Sequence, residues 1–226
     1  MYFSKIQLRK SGLDIKNRAA MRGGGDYEYH KYLWKLFGKT KDQNRNFIYR
    51  RQRVNGWPLF YAVSENVPED SDGLWEIDFK KYTPKLNDGM RLSFSLTANP
   101  VRTEKIGDTK KRKRHDVVMD AKHKLKEQGV KKEDFPSMLE LMQKTGYEWL
   151  NSRAEKNGFS LDERQVRVDG YDQKRFYKKT GEVRYSTLDF EGLLTVIDPG
   201  LFLRTLYHGI GPAKSFGCGL MLVRPA

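Results

Sequence analysis

Apolar side chains at every second position open this chain and recur in both of its halves. Tyr2, Ser4, Ile6 and Leu8 alternate with Phe3, Lys5, Gln7 and Arg9, and the rhythm returns at Trp75, Ile77 and Phe79 and at Leu92, Phe94 and Leu96. A period of two marks strands with one face turned to a core. Asn46–Arg53 and Pro58–Ser64 read as two further strands around Asn55-Gly56, a pair suited to a tight hairpin turn. Between the first strand and that hairpin, Tyr29, Leu33, Leu36 and Phe37 fall at helical spacing after Gly23-Gly24-Gly25. Asp26 is placed to cap the start of this helix and Gly38 its end. The first ~85 residues therefore predict a strand–helix–strand–strand unit with one more strand, of α+β type.

Asn87-Asp88-Gly89 breaks the pattern and divides the chain into expected domains 1–87 and 91–226. The strand through Leu92, Phe94 and Leu96 stops at Asn99-Pro100, and Lys105 to Arg114 reads as a basic loop. Two helices follow, about 116–127 and 135–157. The second carries Met138, Leu141, Met142, Trp149 and Leu150 as core residues, and Gly158 closes it. Residues 159–168 and 183–197 are strand-like, and the segment joining them is itself hairpin-like, with Lys178-Lys179-Thr180-Gly181 at its tip. A short helix after Asp198-Pro199-Gly200 carries Leu201, Leu203 and Leu206. A glycine loop and a last strand, Leu220 to Val223, end the chain. The pattern predicts two similar α+β halves.

Charge narrows the partner. Across 226 residues, 43 Lys and Arg face 29 Asp and Glu, a formal net charge of +14. Such an excess attracts polyanions and gains from releasing their counterions. No long apolar span points to a membrane, so nucleic acid is the favoured partner and a merely basic soluble protein the bland alternative. Cys218 is the sole cysteine, which excludes an internal disulfide and fits a reducing cytoplasm. Met1 to Ile6 lack the charged and apolar regions of a secretory signal, so no leader is expected.

Chemistry has few candidates. His115 lies in the basic loop, His123 on a lysine-rich helix face and His208 at a helix end, where a cation suits the dipole. His30 differs in its neighbours: Tyr27, three residues earlier, shares its helix face, and Lys31 and Lys35 stand nearby. A histidine can move a proton either way, a lysine can stabilise charge on a phosphate, and a tyrosine can orient the reacting group. By spacing alone such a pair is more often an ordinary helix-surface histidine than a catalyst. RNA carries its own nucleophile, the 2′-hydroxyl, so cutting it needs positioning, proton transfer and electrostatics but no metal.

No compact Asp/Glu/His cluster, Cys/His zinc pattern or Walker loop occurs, so neither a metal nor a nucleotide cofactor is expected. Gly209-Ile210-Gly211-Pro212-Ala213-Lys214-Ser215-Phe216-Gly217-Cys218-Gly219 offers close backbone approach and a lysine that could cradle a phosphate. It equally suits a tight loop before the last strand. Further basic material lies at Lys110-Lys111-Arg112-Lys113-Arg114, from Lys122 to Lys132, and at Lys174, Arg175, Lys178, Lys179 and Arg184. Each run alone is an ordinary solvated face; together they favour an RNA stem.

Four pieces resemble the CasE family, the repeat-cleaving endoribonuclease subunit of type I-E CRISPR Cascade complexes. They are Met1-Tyr2-Phe3-Ser4-Lys5, Tyr27-x-x-His30, Leu96-Thr97-Ala98-Asn99-Pro100, and Phe190-Glu191-Gly192 leading into Gly209 to Leu220. The resemblance implies two tandem ferredoxin-like (RRM-like) domains. It also implies metal-independent cleavage at the base of a repeat hairpin, leaving a 2′,3′-cyclic phosphate and a 5′-hydroxyl. It makes His30 the catalytic histidine and Tyr27 its partner, while Lys35 matches a lysine present in only some members. Gly209, Gly211, Lys214, Ser215, Gly217 and Gly219 belong to the family's signature loop, and the groove-inserting hairpin falls at about Gln173 to Thr187. The implied partners are the CRISPR repeat stem-loop and the other Cascade subunits, within which guide pairing reads the target. The alternative is a non-catalytic RRM-like RNA-binding or scaffold subunit, although no Arg/Lys-Gly-Phe-Gly-Phe strand of the usual RRM type is present.

Overall fold

The computed structural model describes residues 1–9, 25–38, 45–105, 107, 112–178 and 181–226, with only the backbone of Asp26, Tyr27 and Lys178. Contacts divide these residues into two units. Met1–Lys85 with Leu206–Leu220 form the first, and Leu86–Thr205 with Met221–Ala226 the second. The glycine-rich segment, expected with the later strands, packs with the first unit.

In the first unit, β1 (Tyr2–Leu8), α1 (Asp26–Phe37), β2 (Phe47–Val54), β3 (Trp57–Ser64) and β4 (Trp75–Lys81) build one antiparallel sheet in the order β2-β3-β1-β4. This is the strand order of a ferredoxin-like βαββαβ unit. Its second helix is replaced by residues 65–74, where the Asp70 carboxylate accepts the amides of Leu74 and Trp75 at 3.3 and 2.8 Å. The β2–β3 turn places Asn55 and Gly56 at φ 52° and 79°, the left-handed pair that such a hairpin demands. The helical stripe is buried as its spacing predicts: Tyr29, Leu33, Leu36 and Phe37 pack on Ile6, Phe47, Tyr49, Phe60 and Trp75. Phe37 stacks on Phe47 with ring centres 4.5 Å apart, and Tyr29 meets Phe60 edge-on at 5.3 Å.

Two helix-end expectations change. Gly25, rather than Asp26, is the N-cap of α1, and its carbonyl accepts the Tyr29 amide at 3.2 Å. Gly38 does end the helix, but in extended conformation; it is small because a Cβ would lie 2.8 Å from the Trp34 indole nitrogen.

The second unit repeats the order. Its strands β5 (Arg91–Ala98), β8 (Phe159–Lys178), β9 (Gly181–Val196) and β10 (Met221–Pro225) run β10-β5-β9-β8, all antiparallel. Helices α2 (Val117–Glu127) and α3 (Met138–Ala154) precede β8, and α4 (Pro199–His208) precedes β10. The ends of the basic segment expected as a loop, Lys105 and Arg112 to Arg114, lie in a ribbon, β6 (Val101–Lys105) paired with β7 (Arg112–Asp116), because backbone pairing spaces their like charges along extended chain. Helix α3 begins three residues later than its apolar spacing suggests. Ser137 and Glu140 form a reciprocal capping box there, which leaves Met138 37% exposed instead of in the core. In α4 the buried residues are Phe202, Thr205 and Leu206, while Leu201 turns outward. No described helix is long and apolar enough to cross a membrane.

β8 bulges between Leu161 and Val166, where it passes over Gly192 of β9. A Cβ at Gly192 would stand 2.0 Å from the Gln165 carbonyl oxygen and 2.9 Å from the Val166 Cα. Gly192→Ala is therefore expected to cost about 1–3 kcal/mol, since β8 backbone must move. Gly89→Ala, at φ +75° with nothing within 4 Å, is expected to cost about 1 kcal/mol from backbone strain alone. Thermal unfolding of both variants checks the order, and equal losses would show that the bulge yields freely.

Candidate active site

His30 follows the buried Tyr29 on α1, so it lies about 100° round the axis, at the rim of the apolar stripe. Its half-buried imidazole meets Trp34, one turn on, edge-to-face at 5.7 Å. On another side it meets Phe216 at 6.4 Å. Phe216 belongs to a short 3₁₀ turn, Lys214–Phe216, inside the glycine-rich segment. That turn packs against both α1 and β2. Residues from opposite ends of the chain thus share one place within the first unit.

The segment leaves and rejoins at a narrow neck. The Ile210 amide donates to the Gly219 carbonyl at 2.9 Å. Gly209 and Gly219 take φ +70° and +97°, and a Cβ on either would come within 2.7 Å of backbone oxygen across the neck. Only glycine meets both demands. Between them the segment laps the sheet's edge strand β2: Gly209 approaches Ile48, and Gly217 approaches Tyr49 on the other face. The Tyr49 hydroxyl donates to the Ser215 carbonyl at 3.0 Å, and the Arg45 guanidinium donates to the Ser215 hydroxyl at 2.7 Å. Burial, followed by the charge of Arg45, holds the Lys214 ammonium below its ordinary value. Burial also lowers the Arg45 guanidinium, with Tyr49 opposing. Gly211 has φ +78° and Gly217 φ +82°.

The other candidates fall elsewhere. Tyr27 stands in the first turn of α1, three residues before His30, and its side chain lies outside the described residues. Lys35 is five residues after His30, roughly 140° round the helix. It forms an exposed ion pair with Asp72 at 3.1 Å, an interaction of about 0–1 kcal/mol. Lys110, Lys111 and Lys179 lie outside the described residues, and Lys178 contributes its backbone only. Arg112, Lys113 and Arg114 are exposed along β7.

In the second unit the long β8–β9 hairpin carries the remaining cations. Arg175 and Arg184 face each other directly across the strands, an arrangement that like charges disfavour. Glu182 resolves it by accepting from Arg184 Nε at 2.7 Å and pairing ionically with Arg175 Nε at 2.9 Å. The Arg184 hydrogen bond, with help from Arg175 against slight burial, keeps the Glu182 carboxyl below the usual range. Lys174 pairs with Asp172. Phe176 and Tyr185 meet edge-on at 6.3 Å, and Tyr177 is 73% exposed. The base of the hairpin is anchored at Asp116. Its carboxylate caps α2 through the Val118 and Met119 amides and accepts from the Ser186 hydroxyl and from Tyr171 at 3.0 Å. Asn99, buried at the end of the resembling Leu96–Pro100 piece, donates to the Ser186 carbonyl at 2.6 Å.

Chemically, the first unit brings an imidazole into contact with a glycine-rich turn that also carries Lys214 and holds Arg45 through Ser215, and the second presents a basic, aromatic-bearing hairpin. Among the described residues, no three His, Cys, Asp or Glu side chains gather as metal ligands would. Arg45, Tyr49 and Phe216 were not singled out from the sequence. Tyr49 reads as an ordinary inward strand residue, and Arg45 carries no motif at all.

Comparison with known proteins bears on the family and the fold. The family model described as CRISPR associated protein matches residues 1–225. The CRISPR system Cascade subunit CasE of Escherichia coli K12 is 29% identical, over 88% of this chain and 92% of that protein. The CRISPR-associated endoribonuclease Cse3 of Thermus thermophilus is 28% identical, over 96% of this chain and 99% of that protein. The structure of a CRISPR endoribonuclease Cse3 bound to 19 nt RNA superimposes with a TM-score of 0.71 at 26% identity, covering 100% of both chains. With the duplicated strand order, the glycine-rich neck and a match along nearly its whole length, the chain belongs to the CRISPR associated protein family, in its CasE group.

Proposed function

We propose that this protein is a metal-independent endoribonuclease that binds the CRISPR repeat stem-loop and cuts precursor CRISPR RNA at the base of the hairpin. It then remains with the guide RNA among the other Cascade subunits, in the cytoplasm. The observation that supports the reading is the ring contact of His30 with Phe216, which belongs to the same short turn as Lys214 and Ser215 in the glycine-rich segment. The proteins it resembles are named a Cascade subunit and a CRISPR-associated endoribonuclease, and one such endoribonuclease is bound to RNA.

The reaction uses the nucleophile that RNA supplies. The 2′-hydroxyl loses its proton as its oxygen attacks the adjacent phosphorus, and the bond to the 5′-oxygen breaks. That oxygen takes a proton, leaving a 2′,3′-cyclic phosphate and a 5′-hydroxyl. His30 transfers a proton in this exchange, Tyr27 orients the reacting group from the same helix face, and Lys35 adds positive potential from farther round the helix. The amides and cations of the glycine-rich segment receive phosphate charge at Gly209, Gly211, Lys214, Ser215, Gly217 and Gly219. The domain 1–87, joined by the glycine-rich segment of the later domain, does the cutting. The rest of the domain 91–226 grips the stem through Lys110 to Arg114 and through the hairpin cations Lys174, Arg175, Lys178, Lys179 and Arg184.

A labelled repeat hairpin in EDTA tests the chemistry. Wild type should cut it, while His30→Ala should bind it with little change in affinity and cut at least about 100-fold more slowly. A 2′-deoxy substitution at the scissile position should bind and resist cutting. Cutting by His30→Ala at the wild-type rate would remove the central residue, and cleavage of the deoxy substrate would exclude attack by the 2′-hydroxyl. For the grip, Lys174→Ala with Arg175→Ala should weaken binding and reduce the slope of log affinity against log salt by about 1–2. An unchanged slope would return the hairpin to ordinary surface.

A further inference from the structure

Arg45 lies two residues before the buried start of β2, and its guanidinium reaches the Ser215 hydroxyl at 2.7 Å. Ser215 adjoins Phe216, whose ring contacts His30, so the guanidinium is held one residue away from a His30 contact. A guanidinium has five N–H donors in a fixed fork. One donates to Ser215, and among the described residues the others meet no second acceptor.

The surroundings call for an anion. Lys35, Lys174, Arg175 and Arg184 each pair with a carboxylate. Among the described residues neither Arg45 nor Lys214 is in an ion pair. Yet the two cations stand close enough for Arg45 to oppose the charge of Lys214, and both are partly withdrawn from water. Two neighbouring, partly desolvated cations repel each other until something negative binds between them. A neutral donor would have served if the role were only to hold Ser215; a planar, permanently charged fork is matched to two oxygens of one phosphate.

We propose that Arg45 is a catalytic residue, its guanidinium holding a non-bridging oxygen of the scissile phosphate while Lys214 supplies the second positive charge. The assignment rests on the active-site reading given above. In the transition state the non-bridging oxygens gain negative charge, and a donor already anchored by Ser215 meets that charge without reorganising.

Single-turnover cleavage of the repeat hairpin, with sulfur replacing one or the other non-bridging oxygen at the scissile phosphate, tests the contact. In wild type, sulfur in the position facing Arg45 should slow cutting. Arg45→Ala should cut all-phosphate RNA about 100-fold more slowly, should lose sensitivity to that one substitution, and should regain part of its rate when guanidinium is added. Arg45→Lys, which keeps the charge and loses the fork, should fall between and guards against a variant that misfolds. Sulfur effects identical in wild type and both variants, or no slowing in either variant, would overturn the assignment. A His30→Ala control separates the two readings. If it cuts normally, the active site itself is misplaced; if it is inactive while the variants at Arg45 keep the full sulfur effects, only the role of Arg45 falls.

Discussion

An antiparallel sheet ends in a strand with unpaired backbone groups and two faces to cover. In the first unit one of the two edge strands is β2, buried through Phe47, Ile48, Tyr49 and Arg50. The glycine-rich segment resolves the problem by lapping over it, touching Ile48 on one face and Tyr49 on the other. The candidate site depends on this covering. The neck hydrogen bond from Ile210 to Gly219 closes the segment, the Tyr49 hydroxyl holds its turn, and the turn then presents Phe216 to His30. Edge protection and assembly of the site are one packing event.

The second unit solves a different problem, that of holding a long basic hairpin together. Arg175 faces Arg184, and the strands tolerate the pairing because Glu182 forms an ion pair with both. At its base, one carboxylate, Asp116, joins the cap of α2 to Ser186 and Tyr171. Burial, reinforced by Asp116, raises the Tyr171 hydroxyl well above its ordinary value, so it remains a neutral donor. The hairpin thus rises from a base held by side-chain hydrogen bonds to α2 and to Asn99.

Much of the fold was legible in the residues. Periods of two and 3.6 located the strands and α1, and Asn55-Gly56 specified its turn, because these patterns act through neighbours in sequence. The failures are equally local in origin. Arg112 to Arg114 resemble a solvated loop, yet backbone pairing with β6 makes them a strand. Met138 has core spacing but sits in the first turn of α3, ahead of the residues that reach the sheet.

The sequence by itself determined two α+β halves, a strongly basic surface, His30 as the histidine with suitable neighbours, and a glycine-rich segment able to approach phosphate. It could not say that this segment belongs with the first unit, nor that Phe216 would meet His30. It gave Arg45 no distinction at all. Those facts depend on contacts between residues far apart along the chain, which carry no periodic signature and exist only once β2 has an edge to be covered.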